Sequence, residues 1–299
     1  MTTSQTIPSE LQPTRRSMFS GHATAVAAAA GAALALGAAL PNRARARPAG
    51  VNDQDILNFA LNLEYLEGEF YLRAVTGQGL DQALGASLGG QVRGGRQVSF
   101  SNPIHRSFMD DVARNELAHV NFIRGALGGN AVTRPTLDFN AGFAAVAQAA
   151  GLGPNFDPFA DEQSFFLAAF LFEDAGVTAY KGAAPLLRSR AILQAAAGIE
   201  AVEAYHAGCI RTVLYKMGGA ARQGAAAISG VRDKLSGGEG NDQGLLRDGR
   251  ANIVPANENG IAYSRTAQHV LNIVFANGAA GVTNGGFFPD GVNGKLQST

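Results

Sequence analysis

The sequence predicts an all-α protein: a four-helix bundle with a long crossover between its second and third helices, and a mixed helix and loop extension at the C terminus. Three observations predict it. A Glu-x-x-His motif followed by apolar residues at helical spacing occurs at Glu116–His119 and returns at Glu203–His206, where Ile123-Arg124 and Leu127 match Ile210-Arg211 and Leu214. A lone glutamate on its own apolar helical segment precedes each motif, Glu64 and Glu173, and each is followed seven residues later by a tyrosine, Tyr71 and Tyr180. Beyond Gly218-Gly219 the composition shifts to Gly, Asn and Asp.

With 11 Glu and 5 His in 299 residues, chance supplies about 0.2 Glu-x-x-His pairs, so two form a pattern. Residues three apart on a helix are neighbours, and each motif therefore aims one carboxylate and one imidazole at the same point. The order Glu, Glu-x-x-His, Glu, Glu-x-x-His is an internal repeat of two helical hairpins. That ligand pattern builds a dinuclear metal site in a bundle core.

Residues 1–46 are expected to lie outside the fold. Thr14-Arg15-Arg16-Ser17-Met18-Phe19 resembles a twin-arginine export motif, an Ala- and Gly-rich apolar run follows, and Ala44-Arg45-Ala46 supplies a small-x-small cleavage site. The run is nearly long enough to span a bilayer, but it is mostly Ala with few Leu, so insertion is only weakly favoured. The expectation is an exported, periplasmic or extracytoplasmic chain with no stable membrane insertion after cleavage. The full chain has 24 basic and 24 acidic residues; loss of 1–46 leaves about −3, and nothing indicates a nucleic-acid partner. The single cysteine, Cys209, excludes an internal disulfide and reads as a small buried residue rather than a redox group.

The bundle is expected over 51–218 and the extension over 219–299. The first helix covers about Asp53 to Val75. Asn58, Asn62, Glu69 and Arg73 recur along it at spacings of four, seven and four, which reads as a solvent stripe. Glu64 lies about 200° around the helix from Asn62, among Leu57, Ala60, Leu61 and Leu66, and Glu67 shares that buried side. A buried carboxylate needs a partner. Gly77 to Gly95 reads as a loop with one weak helical turn. The second helix starts at Pro103, runs to about Leu127 and is stopped by Gly128-Gly129-Asn130. The crossover to about Ala160 carries Pro135, Pro154, Pro158 and a small apolar patch at Phe143 to Ala150. The third helix runs from about Asp161 to Lys181 and the fourth from about Ala191 to Met217. In the extension, Ala225 to Leu235 reads as a short helix, and Ser264 is expected to cap another over Arg265 to Phe275. Gly285-Gly286-Phe287-Phe288-Pro289-Asp290-Gly291 reads as a tail packed on the bundle, and His269, on an apolar helix, as structural.

From about Asp53 to its C terminus the chain resembles the ferritin-like superfamily. More narrowly it resembles the ferritin-like domain family that includes the plant desiccation-associated proteins and many exported bacterial homologues. The resemblance rests on LNFALNLEYLEGEFY, NELAHVNFI, the Glu173 helix, VEAYHAGCI, and the ending SRTAQHVLNIVF with GGFFPDGVNG. Ala267 departs from it, since the family often has Pro after Ser/Thr-Arg-Thr. The superfamily implies a di-iron or di-manganese carboxylate site, often with oxidase, peroxidase or catalase chemistry; the narrower family implies stress association. By analogy Glu116 and Glu203 would bridge two metals, His119 and His206 would each complete one ion, and Glu64 and Glu173 would be terminal.

Four glutamates and two histidines carry a formal charge of −4, which two divalent ions neutralise. No Lys or Arg stands within one turn at ligand-facing spacing, and without metal some of the carboxylates would take up protons. Carboxylate oxygens with imidazole suit Fe or Mn, although Zn could occupy the same ligands. Two further acids break the repeat: Glu67 matches Gly176, and Glu200 matches Ala113. Peroxide-reducing relatives resemble this in carrying an additional Glu one turn beyond a ligand. Each is a candidate seventh ligand or proton relay, or an acid that holds a histidine in place. Tyr71 and Tyr180 read as packing residues that hydrogen-bond a ligand carboxylate. Three functions stay open: redox chemistry on oxygen or peroxide, iron storage (disfavoured by the long Gly-rich tail), and a structural stress protein whose metal only stabilises the bundle. Self-association into a homo-oligomer is also open.

Overall fold

The computed structural model describes residues 47–238 and 240–299; the expected export signal and its cleavage site lie outside the described residues. Four long helices carry the core: α1 (Asp53–Thr76), α3 (Pro103–Leu127), α5 (Glu162–Ala183) and α6 (Arg190–Met217). Between α1 and α3 lie α2 (Leu80–Leu84) and β1 (Val92–Arg93); between α3 and α5, β2 (Leu137–Asp138) and α4 (Phe139–Ala150). The extension holds α7 (Gly219–Leu235), a hairpin of β3 (Leu246–Arg247) and β4 (Arg250–Ala251), and α8 (Ala267–Val274). None of the described helices is long and apolar enough to cross a membrane.

The helix starts follow capping chemistry. Asn52 and Asp55 form a reciprocal capping box on α1, Asn52 Oδ1 accepting from the Asp55 amide at 3.0 Å and Asp55 Oδ2 from the Asn52 amide at 2.8 Å. Pro103 opens α3 behind the cap of Asn102, and Asp161 and Ser189 cap α5 and α6. In these starts and in the end of α3 the sequence reading is close. In the extension it slips. The α8 cap is Thr266, not Ser264, because Arg265 is buried in an ion network and Ser264 instead accepts from Lys181 Nζ at 3.0 Å. Helix α7 begins at Gly219, not Ala225, since Gly218 at φ 103° turns the chain within one residue.

The expected solvent stripe on α1 is buried. Asn58, Asn62 and Glu69 are all buried, and Arg73 is half-buried. The stripe faces the backbone of covering loops rather than water. Asn58 exchanges hydrogen bonds with Asn130 O (3.0 Å) and the Val132 amide (2.9 Å), and Asn62 does so with Asn293 O (2.8 Å) and the Asn293 amide (2.9 Å). Glu69 accepts from Arg73 Nε at 2.8 Å and from the buried Arg134, which also pairs with Asp81 at 2.9 Å. Arg134 fastens the crossover to the Gly-rich loop, and β1 pairs in parallel with β2 through Val92↔Leu137 and Arg93↔Asp138. Gly90 permits that approach: a Cβ there would sit 2.4 Å from Pro135 C.

The tail contributes two phenylalanines to the core. Phe287 and Phe288 are fully buried, and Phe287 lies 4.8 Å from Phe143 and 5.0 Å from Phe172, ring centre to ring centre. A second tie is a buried ion network. Asp174 of α5 pairs with Arg211 of α6 and Arg232 of α7, both at 2.6 Å. Arg232 Nε reaches Asp242 at 2.8 Å, and Arg265 pairs with Asp242 from the other side. The Arg211 and Arg232 guanidinium groups lie 5.2 and 4.4 Å from the Phe170 ring centre.

Removing one partner from such a network strands a buried charge. Asp242→Ala, which leaves Arg232 and Arg265 short of a carboxylate, is expected to destabilise the fold by about 3–5 kcal/mol in a urea titration; a loss below about 1 kcal/mol would contradict the account.

Candidate metal centre

Helix α1 packs on α3 and α5 on α6, and the two pairs face each other with their acidic positions inward. At the middle of the bundle Glu64, Glu116, Glu173 and Glu203 have no exposed surface, and His119 and His206 are nearly as buried. His119 Nδ1 lies 3.3 Å from Glu64 Oε2, 3.4 Å from Glu203 Oε1 and 3.5 Å from Glu116 Oε2. His206 Nδ1 lies 3.1 Å from Glu116 Oε1 and 3.3 Å from Glu173 Oε2. Two overlapping sets result: Glu64, Glu116, His119 and Glu203, and Glu116, Glu173, Glu203 and His206, with the ligand atoms of each set within 4.8 Å of one another. Glu116 and Glu203 belong to both. The two sets mirror the sequence repeat.

The donor atoms fit a metal. Both oxygens of Glu116, Glu173 and Glu203, Oε2 of Glu64 and Nδ1 of both histidines are buried and make no hydrogen bond. Unsatisfied buried polar atoms are rare in native proteins, and here nine converge on one place. A metal about 2.0–2.2 Å from each donor spaces its ligand atoms roughly 3–4 Å apart, matching the separations above. The buried cluster is thus compatible with metal binding in its chemistry and its spacing.

Electrostatics agree. Burial raises the Glu64 carboxyl to about 7, partly offset by His119. Burial also drives Glu203 well above its usual range, and the neighbouring carboxylates reinforce it. Glu116 falls, to about 2, since the close imidazolium groups of His119 and His206 outweigh burial. Burial works against the His206 imidazolium, but Glu173 and Glu116 overcome it and raise the ring to about 11; Glu116, Glu203 and Glu64 raise His119 further. Metal-free, the cluster answers its excess negative charge with protons.

The lone-glutamate helices serve each other. Tyr180 of α5 donates to Glu64 Oε1 of α1, while Tyr71 of α1 faces Glu173 of α5 without a well-formed hydrogen bond. Asn115, which the sequence reading passed over, lies with Nδ2 3.3 Å from His206 Nε2. Spacing gives no signal for it, because it precedes Glu116 by one and reaches across to another helix.

The two extra acids do not behave alike. Glu67 is buried beside the cluster, and burial, then Glu203, holds its carboxyl well above the usual range. It stands three residues after Glu64, the spacing that histidine has in the other two motifs. Gly176 makes its room: a Cβ there would lie 2.7 Å from Glu203 Oε2 and 3.6 Å from Glu67 Oε1. Glu200 is not part of the cluster. It is half-buried, raised by burial and lowered by Lys181. On α6, His206 lies about 60° to one side of Glu203 and Glu200 about 60° to the other, so only one shares the inner face. Cys209 is half-buried rather than enclosed, and burial raises its thiol. His269, on α8, belongs to neither set.

The glycine makes a test of this packing. Gly176→Ala is expected to destabilise the protein by about 1–3 kcal/mol, while Gly230→Ala on α7, where a Cβ meets nothing within 4 Å, leaves it unchanged or slightly stabilised; equal thermal melts for the two would refute the tight approach of Glu203 to α5.

Comparison with known proteins reaches the same place. The model of the ferritin-like domain matches residues 52–216, which span all six cluster residues. The chain is 31% identical over 265 residues to a protein of Nesocodon mauritianus named ferritin-like catalase Nec2, covering 82% of this chain and 84% of that one. It is 32% identical over 269 residues to the desiccation-related protein PCC13-62 of Craterostigma plantagineum, covering 83% and 85%. No solved structure matches significantly. A four-helix core with this paired Glu and Glu-x-x-His arrangement, matched over more than half of the chain, makes the protein a member of the ferritin-like domain family.

Proposed function

We propose that the cluster holds two redox-active metal ions, Fe or Mn, with Zn able to occupy the same ligands, and that the protein turns over hydrogen peroxide in stress protection. The observation that carries this reading is the nine unpartnered donor atoms in two sets sharing Glu116 and Glu203. A relative named as a catalase supports peroxide over oxygen. Bound there, the metal pair would exchange two electrons with peroxide, giving water from one molecule and oxygen from a second.

The chain's own residues set the conditions. Helices α1, α3, α5 and α6 exclude bulk water from the four carboxylates, so electrostatic effects there are strong. Tyr180 fixes Glu64 by donating to one oxygen and leaves the other free. If His206 gives Nδ1 to a metal, Nε2 keeps its proton and needs an acceptor; a flip of the Asn115 amide presents Oδ1 to it. Glu67, beside Glu203 but outside both ligand sets, is placed to hand a proton to the departing hydroxide and recover it afterwards.

Elemental analysis is expected to give close to two metals per chain, and Glu116→Ala, which removes a shared ligand, to lose most of both. Glu67→Gln should keep the metals while lowering oxygen evolution from peroxide by about 10²-fold or more. Equal rates would favour the second reading, a structural stress protein with a stabilising metal, which the desiccation-related relative supports.

Metal loading must expel protons held by His206 up to about 11 and by Glu64 up to about 7. Protons therefore compete with metal, and affinity should fall as pH drops, most steeply below about 7 where Glu64 is protonated too. Metal titration at pH values on either side of neutrality checks the sign; a flat response would contradict it.

Export belongs to the same proposal and rests on Arg15-Arg16 and Ala44-Arg45-Ala46. Replacing both arginines with Lys should retain the precursor inside the cell, and unchanged fractionation would remove this part.

A further inference from the structure

Eight large apolar side chains are exposed among the described residues: Ile104, Phe108, Phe122, Leu193, Tyr205, Leu246, Val254 and Ile261. Five of them line one seam, between α3 and α6. Ile104, Phe108, Tyr205 and Val254 border an open groove of about 830 Å³ at one end. Phe122 borders a second, of about 420 Å³, at the other. Scattered exposed apolar residues need no explanation, but a contiguous apolar face marks an interaction surface.

The seam has two unlike halves. On α3, Ile104, Phe108, Asp111, Asn115 and Phe122 follow at spacings of four, three, four and seven, which places them on one stripe, with the exposed Asp111 paired to Arg114 at its middle. Three of the five are large, exposed and apolar, so the stripe is a ridge with one charge at its centre. On α6, the exposed positions between Arg190 at one end and Lys216 at the other, where Lys216 borders the larger groove, are uncharged, and Ala197, Gly198, Ala201 and Ala204 make most of that surface nearly flat. A solvent-facing helix ordinarily carries charges on its outer side. Ridge and trough lie side by side on the same face.

We infer that this face joins two copies of the chain in a symmetric dimer, the α3 ridge of each lying in the α6 trough of the other. A two-fold contact uses the same patch on both copies and must be self-complementary, and a ridge beside a trough meets that condition. The size also fits. Two adjacent helices over some five turns offer a strip about 30 Å by 20 Å, roughly 600 Å² per copy, near the ~800 Å² per partner of a stable interface. Asn115, hydrogen-bonded to His206, sits midway along the strip, so the partner covers the outer edge of the cluster.

The test is sedimentation velocity across a dilution series, on the full chain and on residues 47–299, which pack as their own unit. Both are expected to sediment as dimers. Phe122→Glu and Ala201→Glu, on exposed positions of ridge and trough, should each weaken dimerisation by about 30-fold or more without moving the thermal melt. Leu246→Glu, exposed but off the face, should leave the dimer intact. A monomeric 47–299 chain overturns the inference, whether or not its face then takes up phosphatidylglycerol vesicles. So does a dimer indifferent to both substitutions, or one formed only when residues 1–46 are present.

Discussion

Four carboxylates in a dry helical core, with no lysine or arginine among them, form the constraint around which this protein is built. A buried carboxylate is costly unless it is paired, protonated or bound to a cation. Glu64, Glu116, Glu173 and Glu203 are fully buried, and the nearest positive charges are two histidines that the carboxylates themselves charge. Two imidazolium groups offset half of the negative charge, and raised pKa values take up part of the remainder. Two divalent ions would offset all of it and satisfy the unpartnered oxygens. The bundle's repeated hairpins bring the four carboxylates together, and a bound metal pair would remove the cost of doing so.

Everything outside the cluster holds the bundle at the spacing this needs. The buried arginines do so on one side: Asp174 follows Glu173 directly, and its ties to Arg211 and Arg232 fix α5 against α6 and α7. On the other side Arg134, Asn58 and Asn62 fasten the crossover and the tail to α1, the helix that carries Glu64 and Glu67. The extension is thus a brace, whose aromatic tail completes the same core. Gly176 adds a smaller adjustment, since its missing side chain lets Glu203 and Glu67 approach α5 and makes the two halves of the centre unequal.

The convergence of the Glu and His residues and the four helices that carry them were legible because metal chemistry imposes residue type and spacing together. Glu-x-x-His twice, each preceded by a lone Glu, leaves few alternatives, and Pro103 and Gly128 mark the ends of α3 without tertiary help. Three things were not legible. The polar stripe of α1 has the period of a solvated face, and period alone does not distinguish water from the backbone of a covering loop. Arg211, Arg232 and Arg265 lie on separate helices or loops, so their convergence on Asp174 and Asp242 leaves no local mark. Glu200 and Glu67 both stand three residues from a glutamate of the cluster, and only the position of His206 on α6 shows that Glu200 has turned away.

The claim that most depends on this physics is that the carboxylates bridge two metals, and it can be observed directly. Crystals of the protein purified without added metal, measured above and below the absorption edges of Mn and Fe, give anomalous difference maps that locate each ion and name its element. Two peaks about 3.5–4 Å apart are expected, one near His119 and Glu64 and the other near His206 and Glu173, with Glu116 and Glu203 between them. A single peak, or a cluster without any peak whose carboxylates are joined by protons, would contradict the account.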